Sequence, residues 1–182
     1  LKQLVGLKSL TSLLLTGTKV TDAGLKHLAR LRSLQQLSLP PRVTAAGLKH
    51  LKGLKGLKGL GLYGIKISNA GLKPLKGFKL LQTLDLRASN VTDAGLKYLS
   101  GLKALRRLML GRTKVSDAAL IHLAGLKALQ RLDLSYTKVS DAGLKHLADL
   151  KALKELYLYK TTVTSAGISR LKRALPSCRI LK

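Results

Sequence analysis

The chain has 182 residues, of which 34 are Lys or Arg and 8 are Asp or Glu, so its formal net charge is +26. Hydrophobic residues make up 46% of the sequence, which is enough to bury a core and argues against wholesale disorder. Aromatic residues make up only 3% and Trp is absent, so a nucleic-acid binder that stacks bases on aromatic rings is disfavoured.

Cysteine content and hydropathy limit the class of protein further. Cys178 is the single cysteine, which excludes an internal disulfide and a cysteine-based metal cluster. No apolar run approaches the roughly 18 residues that a membrane-spanning helix needs. The sequence therefore predicts no membrane span, and it leaves the cellular compartment open.

A four-residue motif, typically Thr-Asp-Ala-Gly, recurs along the whole chain. Successive copies are 23 residues apart once and 24 residues apart five times, starting at Thr21, Thr44, Ser68, Thr92, Ser116, Ser140 and Thr164. About eleven residues before each copy stands an L-x-x-L-x-L block. Seven units in one frame predict a repeat array.

Each unit has the pattern of a strand, a turn and a helix. The alternating leucines of L-x-L predict a short strand with one buried face. The Ser or Thr that opens the motif has the chemistry of a helix N-cap, and the Asp after it favours the positive end of a helix. Leu25, Leu28 and Leu31 then form the apolar side of the first helix. No unit can bury its leucines alone, so the units are expected to stack into a solenoid.

The pattern L-x-x-L-x-L-x-x-T-x-V-T-D-A-G-L-x-x-L resembles the leucine-rich repeat superfamily over nearly the whole chain. It is most similar to the ribonuclease-inhibitor-like and cysteine-containing subtypes, especially to bacterial versions rich in T-D-A-G-L. The resemblance implies an α/β solenoid, a right-handed arc with a concave parallel sheet and helices on the convex side. In place of the usual turn Cys or Asn stand hydroxyl residues that are expected to bond the turn backbone, namely Thr18, Ser89, Thr113, Thr137 and Thr161.

The units divide the chain into a single predicted domain, 1–182. Residues 1–9 fit the second half of a repeat, residues 10–175 hold seven repeats, and residues 176–182 form a C-terminal cap with a short strand. Because the chain starts in the middle of a unit and lacks an initiator Met, we expect it to be the C-terminal fragment of a longer protein, monomeric in this form.

Two units depart from the pattern. The second unit contains Pro40 and Pro41 and is one residue short, which predicts a local kink or a broken turn ladder because proline donates no amide hydrogen bond. In the third unit Ile65 replaces the turn hydroxyl, and Pro74 lies within the helix pattern. That helix is expected to be shorter or irregular.

Catalytic and cofactor motifs are weak. Residues 59–64 match G-x-G-x-x-G, and Asp85 follows at the distance of a ribose-binding acid, but Leu60 and Leu62 place these glycines inside a predicted strand. One histidine occupies the same helix position in four units, as His27, His50, His122 and His146, and this spacing does not form a ligand pair on one helix. The sequence therefore predicts no catalytic residues, no cofactor, no metal and no enzymatic activity.

The residues between the strand leucines are expected to form three rows on the concave face. Arg and Tyr, which are enriched in binding hot spots, occur in these rows from the fourth unit onward. The candidate protein-binding residues are Asp85, Arg87, Arg107, Met109, Arg131, Asp133, Glu155, Tyr157 and Tyr159. The alternative is that Asp85, Asp133 and the neighbouring Arg107 and Arg131 merely pair with one another.

The rows carry no net charge, so the basic excess is expected on helices and loops, at three recurring repeat positions. One interpretation is solubility together with helix-end electrostatics. The other is a basic convex and edge surface that binds a polyanion, either nucleic acid or an anionic surface. The favoured hypothesis is a non-enzymatic module that binds a protein or peptide on its concave face, and the polyanion-binding module is the alternative.

Overall fold

Eight strands form one open, parallel sheet in the computed structural model, which describes residues 1–182. Every strand pairs with the next one in the sequence. Each strand has three residues, and together they are β1 (Ser12–Leu14), β2 (Gln36–Ser38), β3 (Gly59–Gly61), β4 (Thr83–Asp85), β5 (Arg107–Met109), β6 (Arg131–Asp133), β7 (Glu155–Tyr157) and β8 (Arg179–Leu181). This arrangement confirms the predicted repeat solenoid, including the short strand in the C-terminal cap.

The strands keep a single register from end to end. Ser12 pairs with Gln36, Gln36 with Gly59, and the series continues to Arg179. The central leucine of each strand from β2 to β7 is buried, while the first and third residues point to the opposite side of the sheet. We call that opposite side the sheet face.

The helical segments are tighter than the predicted α-helices. Five are single turns of four residues and one is longer: α1 (Asp22–Leu25), α2 (Ala45–Leu48), α3 (Asp93–Leu96), α4 (Asp117–Leu120), α5 (Asp141–Leu144) and α6 (Ser165–Ala174). Further segments are 3₁₀-helical, at Lys2–Gly6, Lys26–Arg30, Lys49–Gly53, Asn69–Gly77 and Lys145–Leu147. None of these helical segments has the length and hydropathy of a membrane span.

The leucine spacing explains this preference. Leu25, Leu28 and Leu31 are three residues apart, and only a 3₁₀-helix, with three residues per turn, stacks such a series on one face. The apolar residues Ile168 and Leu171 of α6 and Leu175 at its C-cap are spaced by three and then four, which matches the 3.6-residue period of the α-helix. The third unit, with Pro74, is 3₁₀-helical throughout, so its predicted irregularity is confirmed, although the segment is nine residues long rather than short.

One hydrophobic core runs along the whole array. It is a cluster of 48 buried residues from Leu15 to Cys178. Cys178 is 1% exposed, and burial raises the pKa of its thiol. Ile65, which replaces a turn hydroxyl, is fully buried in the same core.

The predicted hydrogen bonds of the turn hydroxyls are confirmed. Each hydroxyl donates to the backbone carbonyl three residues before it, within its own repeat. The pairs are Thr18 with Leu15, Ser89 with Leu86, Thr113 with Leu110, Thr137 with Leu134 and Thr161 with Leu158, at 2.6–2.7 Å. Ser89, Thr113 and Thr137 are buried, so these bonds satisfy hydroxyls that have left water.

The turn ladder is broken at the proline pair, as predicted. In four other repeats a turn N–H donates to a carbonyl of the next repeat, from Gly64, Ala88, Arg112 and Tyr136. Pro41 occupies the corresponding position and has no N–H to donate. The sheet itself does not break there, because Ser38 still pairs with Gly61.

A second inter-repeat ladder joins the helix starts. The Asp of one repeat accepts two hydrogen bonds from the Ser or Thr that opens the next motif, one from its N–H and one from its hydroxyl. The pairs are Asp22 with Thr44, Asp93 with Ser116, Asp117 with Ser140 and Asp141 with Thr164, at 2.5–2.8 Å. Asn69 takes the acid's role towards Thr92. We call this series the Asp ladder.

The Asp ladder corrects the predicted role of the motif. The opening Ser or Thr was expected to cap its own helix, yet this bond forms only at Thr44, Ser140 and Thr164. The ladder has one gap, between Ala45 and Ser68, because alanine replaces the acid there.

Candidate protein-binding face

The three predicted rows lie on the sheet face in the order expected. The register aligns the first strand residues as one row and the third strand residues as a second. Residues just past the strand ends form the third row, where Tyr63, Gly111 and Tyr159 lie. The nine candidate residues therefore occupy one continuous surface over β4 to β7, although their function stays a prediction.

Asp85 and Arg87 form a bidentate ion pair within one repeat. Arg87 donates from Nε to Oδ1 at 3.0 Å and from Nη2 to Oδ2 at 2.7 Å. This hydrogen bond to the carboxylate raises the pKa of Arg87. The same carboxylate accepts the backbone N–H of Arg87 at 3.0 Å, so the pair holds the arginine in one orientation at the end of β4.

Arg131, Glu155 and Tyr157 form a second network across β6 and β7. Arg131 donates from Nη2 to Glu155 Oε1 at 2.9 Å, and its Nε lies 2.8 Å from Glu155 Oε2 as part of the same ion pair. The Tyr157 hydroxyl donates to Glu155 Oε2 at 2.5 Å. The bond from Arg131 lowers the pKa of Glu155, and the bond to Glu155 raises the pKa of Tyr157.

These pairs differ from the alternative considered from the sequence. Asp133 pairs with no arginine and accepts the Ser135 N–H at 2.9 Å. Arg107 is exposed and makes no side-chain hydrogen bond or ion pair, because its neighbours in the row are Thr83 and Arg131. Met109 lies half-buried next to it on β5. Arg107 is therefore an unpaired arginine on the sheet face, flanked by ordered charged groups.

β8 extends the sheet face beyond the predicted rows. Arg179 continues the first row beside Glu155, and Leu181 continues the second beside Tyr157. The rows predicted as neutral therefore gain one positive charge. The periodic L-x-L signal is weak in the cap, where Ile180 stands in for the strand leucine, and this is why the two residues were missed.

Exposed tyrosines line the edge of the sheet just after the strands. Tyr63, Tyr136 and Tyr159 are 51%, 48% and 43% exposed, respectively. The guanidinium of Arg87 lies 5.7 Å from the ring centre of Tyr63, and that of Arg112 lies 4.4 Å from Tyr136, which are cation–π distances. We call Tyr63, Tyr136 and Tyr159 the tyrosine edge.

Two clefts open on the tyrosine edge. The larger, about 560 Å³, lies between Tyr136, Tyr159 and Lys160. The smaller, about 200 Å³, lies between Tyr63, Arg112 and Tyr136. Such concave, partly aromatic surfaces suit the insertion of a side chain from a partner.

Tyr136 of this edge and two residues beside the edge have backbones in the left-handed region. Arg112, Tyr136 and Lys160 have φ of 58°, 57° and 53°, at a repeat position that is glycine in Gly17 and Gly64. A non-glycine residue in this region costs about 1–2 kcal/mol. Sequence analysis missed these residues, and their signal was the replacement of glycine by larger residues at one repeat position from the fourth unit onward.

The G-x-G-x-x-G match at residues 59–64 lacks the strand–turn–helix context of a dinucleotide-binding site. Gly59 and Gly61 lie within β3, and no helix begins at Gly64. No group of three or more His, Cys, Asp or Glu residues is placed to hold a metal ion.

Some of the basic residues at the recurring repeat positions make structural hydrogen bonds on the helical side. Lysines that follow the helical segments donate to the terminal carbonyls of the next repeat. These bonds join Lys103 to Gly125 at 3.1 Å, Lys127 to Asp149 at 3.5 Å and Lys151 to Ala174 at 3.0 Å. The predicted helix-end electrostatics therefore act between neighbouring repeats.

Comparisons with known proteins agree with this architecture. Two leucine-rich repeat family models match, one over residues 79–139 and one over residues 6–29. No curated protein matches the sequence significantly.

Solved structures with the same fold include two internalins of Listeria monocytogenes. Internalin InlF is 21% identical with a TM-score of 0.72 over 100% of this chain, and internalin C2 is 28% identical with a TM-score of 0.74 over 97%. The chain spans 56% and 74% of their respective lengths. A plant peptide hormone receptor, solved in complex with RGF2, is 18% identical with a TM-score of 0.56 over 96% of this chain, which spans 32% of the receptor.

The subtype within the superfamily, ribonuclease-inhibitor-like or cysteine-containing, stays a prediction. The repeat frame, the parallel sheet in sequence order and the matching family models agree on the superfamily itself. The chain therefore has the fold of a leucine-rich repeat solenoid, and two parts of its sequence match leucine-rich repeat family models.

Proposed function

We propose that this chain is a non-enzymatic module that binds a protein or peptide on its sheet face. The observation that carries the proposal is the unpaired, exposed Arg107 between two ordered charge networks, with the tyrosine edge beside it. Leucine-rich repeat proteins generally mediate protein–protein interaction. The receptor that shares the fold is described as a complex with RGF2, and this supports a peptide as one class of partner.

The ion pairs favour binding because they order the surface in advance. Arg131 and Tyr157 are both held by Glu155, so less side-chain freedom is lost when a partner docks. Arg107 is not held in this way and is free to donate hydrogen bonds to a carboxylate or carbonyl oxygen of the partner. A partner with an acidic group flanked by apolar side chains would match Arg107, Met109 and Tyr159.

The test is selection of binding peptides from a displayed random library on the immobilised protein. Replacing Arg107, Arg131 and Tyr157 together by Ala should lower the affinity of the selected peptides at least about tenfold, since hot-spot side chains each contribute 2 kcal/mol or more. The matched control replaces Lys97, Lys145 and the 58% exposed Ile121 on the helical side. Equal affinity of both triple variants for the peptides would refute the proposal.

No observation favours the alternative function, in which the whole basic surface binds a polyanion. Lys103, Lys127 and Lys151, which follow the helical segments, are bonded to neighbouring repeats, and this gives them a structural role.

We also propose that residues 1–182 act as one domain, since β1 to β8 form a single sheet. A single cooperative unfolding transition would support this, and two separable transitions would contradict it.

A further inference from the structure

A cavity of about 650 Å³ lies on the helical side, between the second and third repeats. Five lysines line it together with small residues, and no acidic residue does. The lysines are Lys49, Lys52, Lys55, Lys73 and Lys76. Ala45, Gly71 and Pro74 also line it.

The corresponding groove between the sixth and seventh repeats provides an internal comparison. Its volume is about 250 Å³, and Asp141 and Arg170 line it. These two side chains form an ion pair at 3.0 Å, and the carboxylate also accepts the Thr164 bonds of the Asp ladder. Ala45 and Pro74 occupy the same repeat positions as Asp141 and Arg170. The wider groove has therefore lost both the acid and the cation that line its counterpart.

The longest stretch of the chain without an acidic residue includes the residues that line this cavity. From residue 23 to residue 84 there are twelve Lys and Arg and no Asp or Glu. The gap in the Asp ladder lies in the middle of this stretch, at Ala45. The positive charge of the lining lysines is therefore not offset by any carboxylate of the second or third repeat.

Three of the five lysines make no hydrogen bond or cation–π contact with the protein, namely Lys49, Lys52 and Lys73. Lys76 lies 5.1 Å from the Tyr98 ring, and the Lys55 ammonium group lies against Gly77, at the border of the cavity. Lys55 differs from its repeat equivalents Lys103 and Lys151, which bond carbonyls of the next repeat. The lining thus keeps several ammonium groups available to an anion.

From these observations we propose that this cavity is a binding site for a compact, multiply phosphorylated small molecule. Its volume lies within the range of small-molecule sites, about 300–1,000 Å³. Ammonium groups bind phosphate oxygens as point charges, and closely spaced cations favour a ligand with several phosphates over a single carboxylate. The site is on the opposite side from the sheet face, so it is independent of the proposed protein binding.

The test uses sodium tripolyphosphate as the probe and titration calorimetry on the full chain. We expect one site per chain, weakened by added salt because the contacts are between charges. The variant with Lys49→Gln and Lys73→Gln should lower affinity at least about tenfold, since it removes two ammonium groups that would donate charge-assisted hydrogen bonds to the phosphates. The control, Lys97→Gln with Lys145→Gln, removes the same charge at the same repeat position next to repeats that keep their acid.

A second variant tests the site without loss of folding. Ala45→Asp restores the acid of the other repeats beside Ser68, so it should complete the Asp ladder and raise stability while it weakens tripolyphosphate binding. Equal weakening by the Lys97/Lys145 control, several equivalent sites per chain, or no binding at low salt would each overturn the proposal. So would a DNA duplex that binds the wild type and both glutamine variants as tightly as the probe does, since that result would indicate a diffuse basic surface.

Discussion

The Asp ladder should contribute measurably to stability at each junction, and Asp117 offers the clearest test. Its carboxylate accepts the Ser140 N–H at 2.8 Å and the Ser140 hydroxyl at 2.6 Å. A hydrogen bond to a charged group contributes about 1.5–3 kcal/mol, and partial exposure of both residues places these bonds at the low end. We therefore expect Asp117→Ala to lower the free energy of unfolding by about 2–3 kcal/mol.

The conservative variant Asp117→Asn separates the ladder from other effects. Asn69 shows the geometry that an amide adopts, because it accepts the Thr92 N–H at 3.1 Å and donates to the Thr92 hydroxyl at 2.8 Å. Asp117→Asn should therefore cost less than about 1 kcal/mol, since both bonds are kept without the charge. Urea unfolding followed by circular dichroism measures both values. If Asp117→Ala proved as stable as Asp117→Asn, the ladder would not contribute to stability.

Three further predictions concern single residues. Ala88 has φ of 55°, so Ala88→Gly should raise the free energy of unfolding by about 0.5–1 kcal/mol in the same urea assay; a loss of stability would show that the left-handed backbone is not strained. The Thr164 hydroxyl bond lowers the pKa of Asp141, so the stabilising effect of this carboxylate is present above its unfolded pKa and is lost as pH falls through the lower folded pKa. Thermal unfolding between about pH 6 and pH 2 should show a shallower acid-side decline for Asp141→Asn than for the wild type, and parallel curves would contradict this. The buried Cys178, whose pKa is raised, should resist iodoacetamide in the folded protein and react in urea, as mass spectrometry would show; fast labelling of the native chain would mean that the cap opens readily.

The two proposed sites divide the charge of the molecule. On the sheet face, Asp85 and Glu155 hold their arginine partners, so most of the charge there is paired. On the helical side the second and third repeats carry unpaired lysines around a cavity. The high net charge is thus concentrated away from the surface proposed to bind a protein.

Local periodicity was sufficient to predict the architecture. The spacing of about 24 residues and the L-x-L alternation determined the number of repeats, the strand register and the three rows of the sheet face. The chemistry of single residues determined the turn bonds of Thr113 and its equivalents and the broken ladder at Pro41. Within one repeat these features depend on residues close together in the sequence, and the regular repeat period carries them from one unit to the next.

The tertiary structure decided which residues of different repeats meet. Asp117 bonds a serine 23 residues away rather than serving only its own helix, and Arg131 pairs with Glu155 rather than with an aspartate. It also decided that the guanidinium of Arg112 lies against the ring of Tyr136, and that a cavity lies beside Ala45, where most of the other repeats have an acid or an amide. A side chain at the edge of a repeat has partners available on both sides, and only the stacking of neighbouring repeats determines which partner lies within bonding distance.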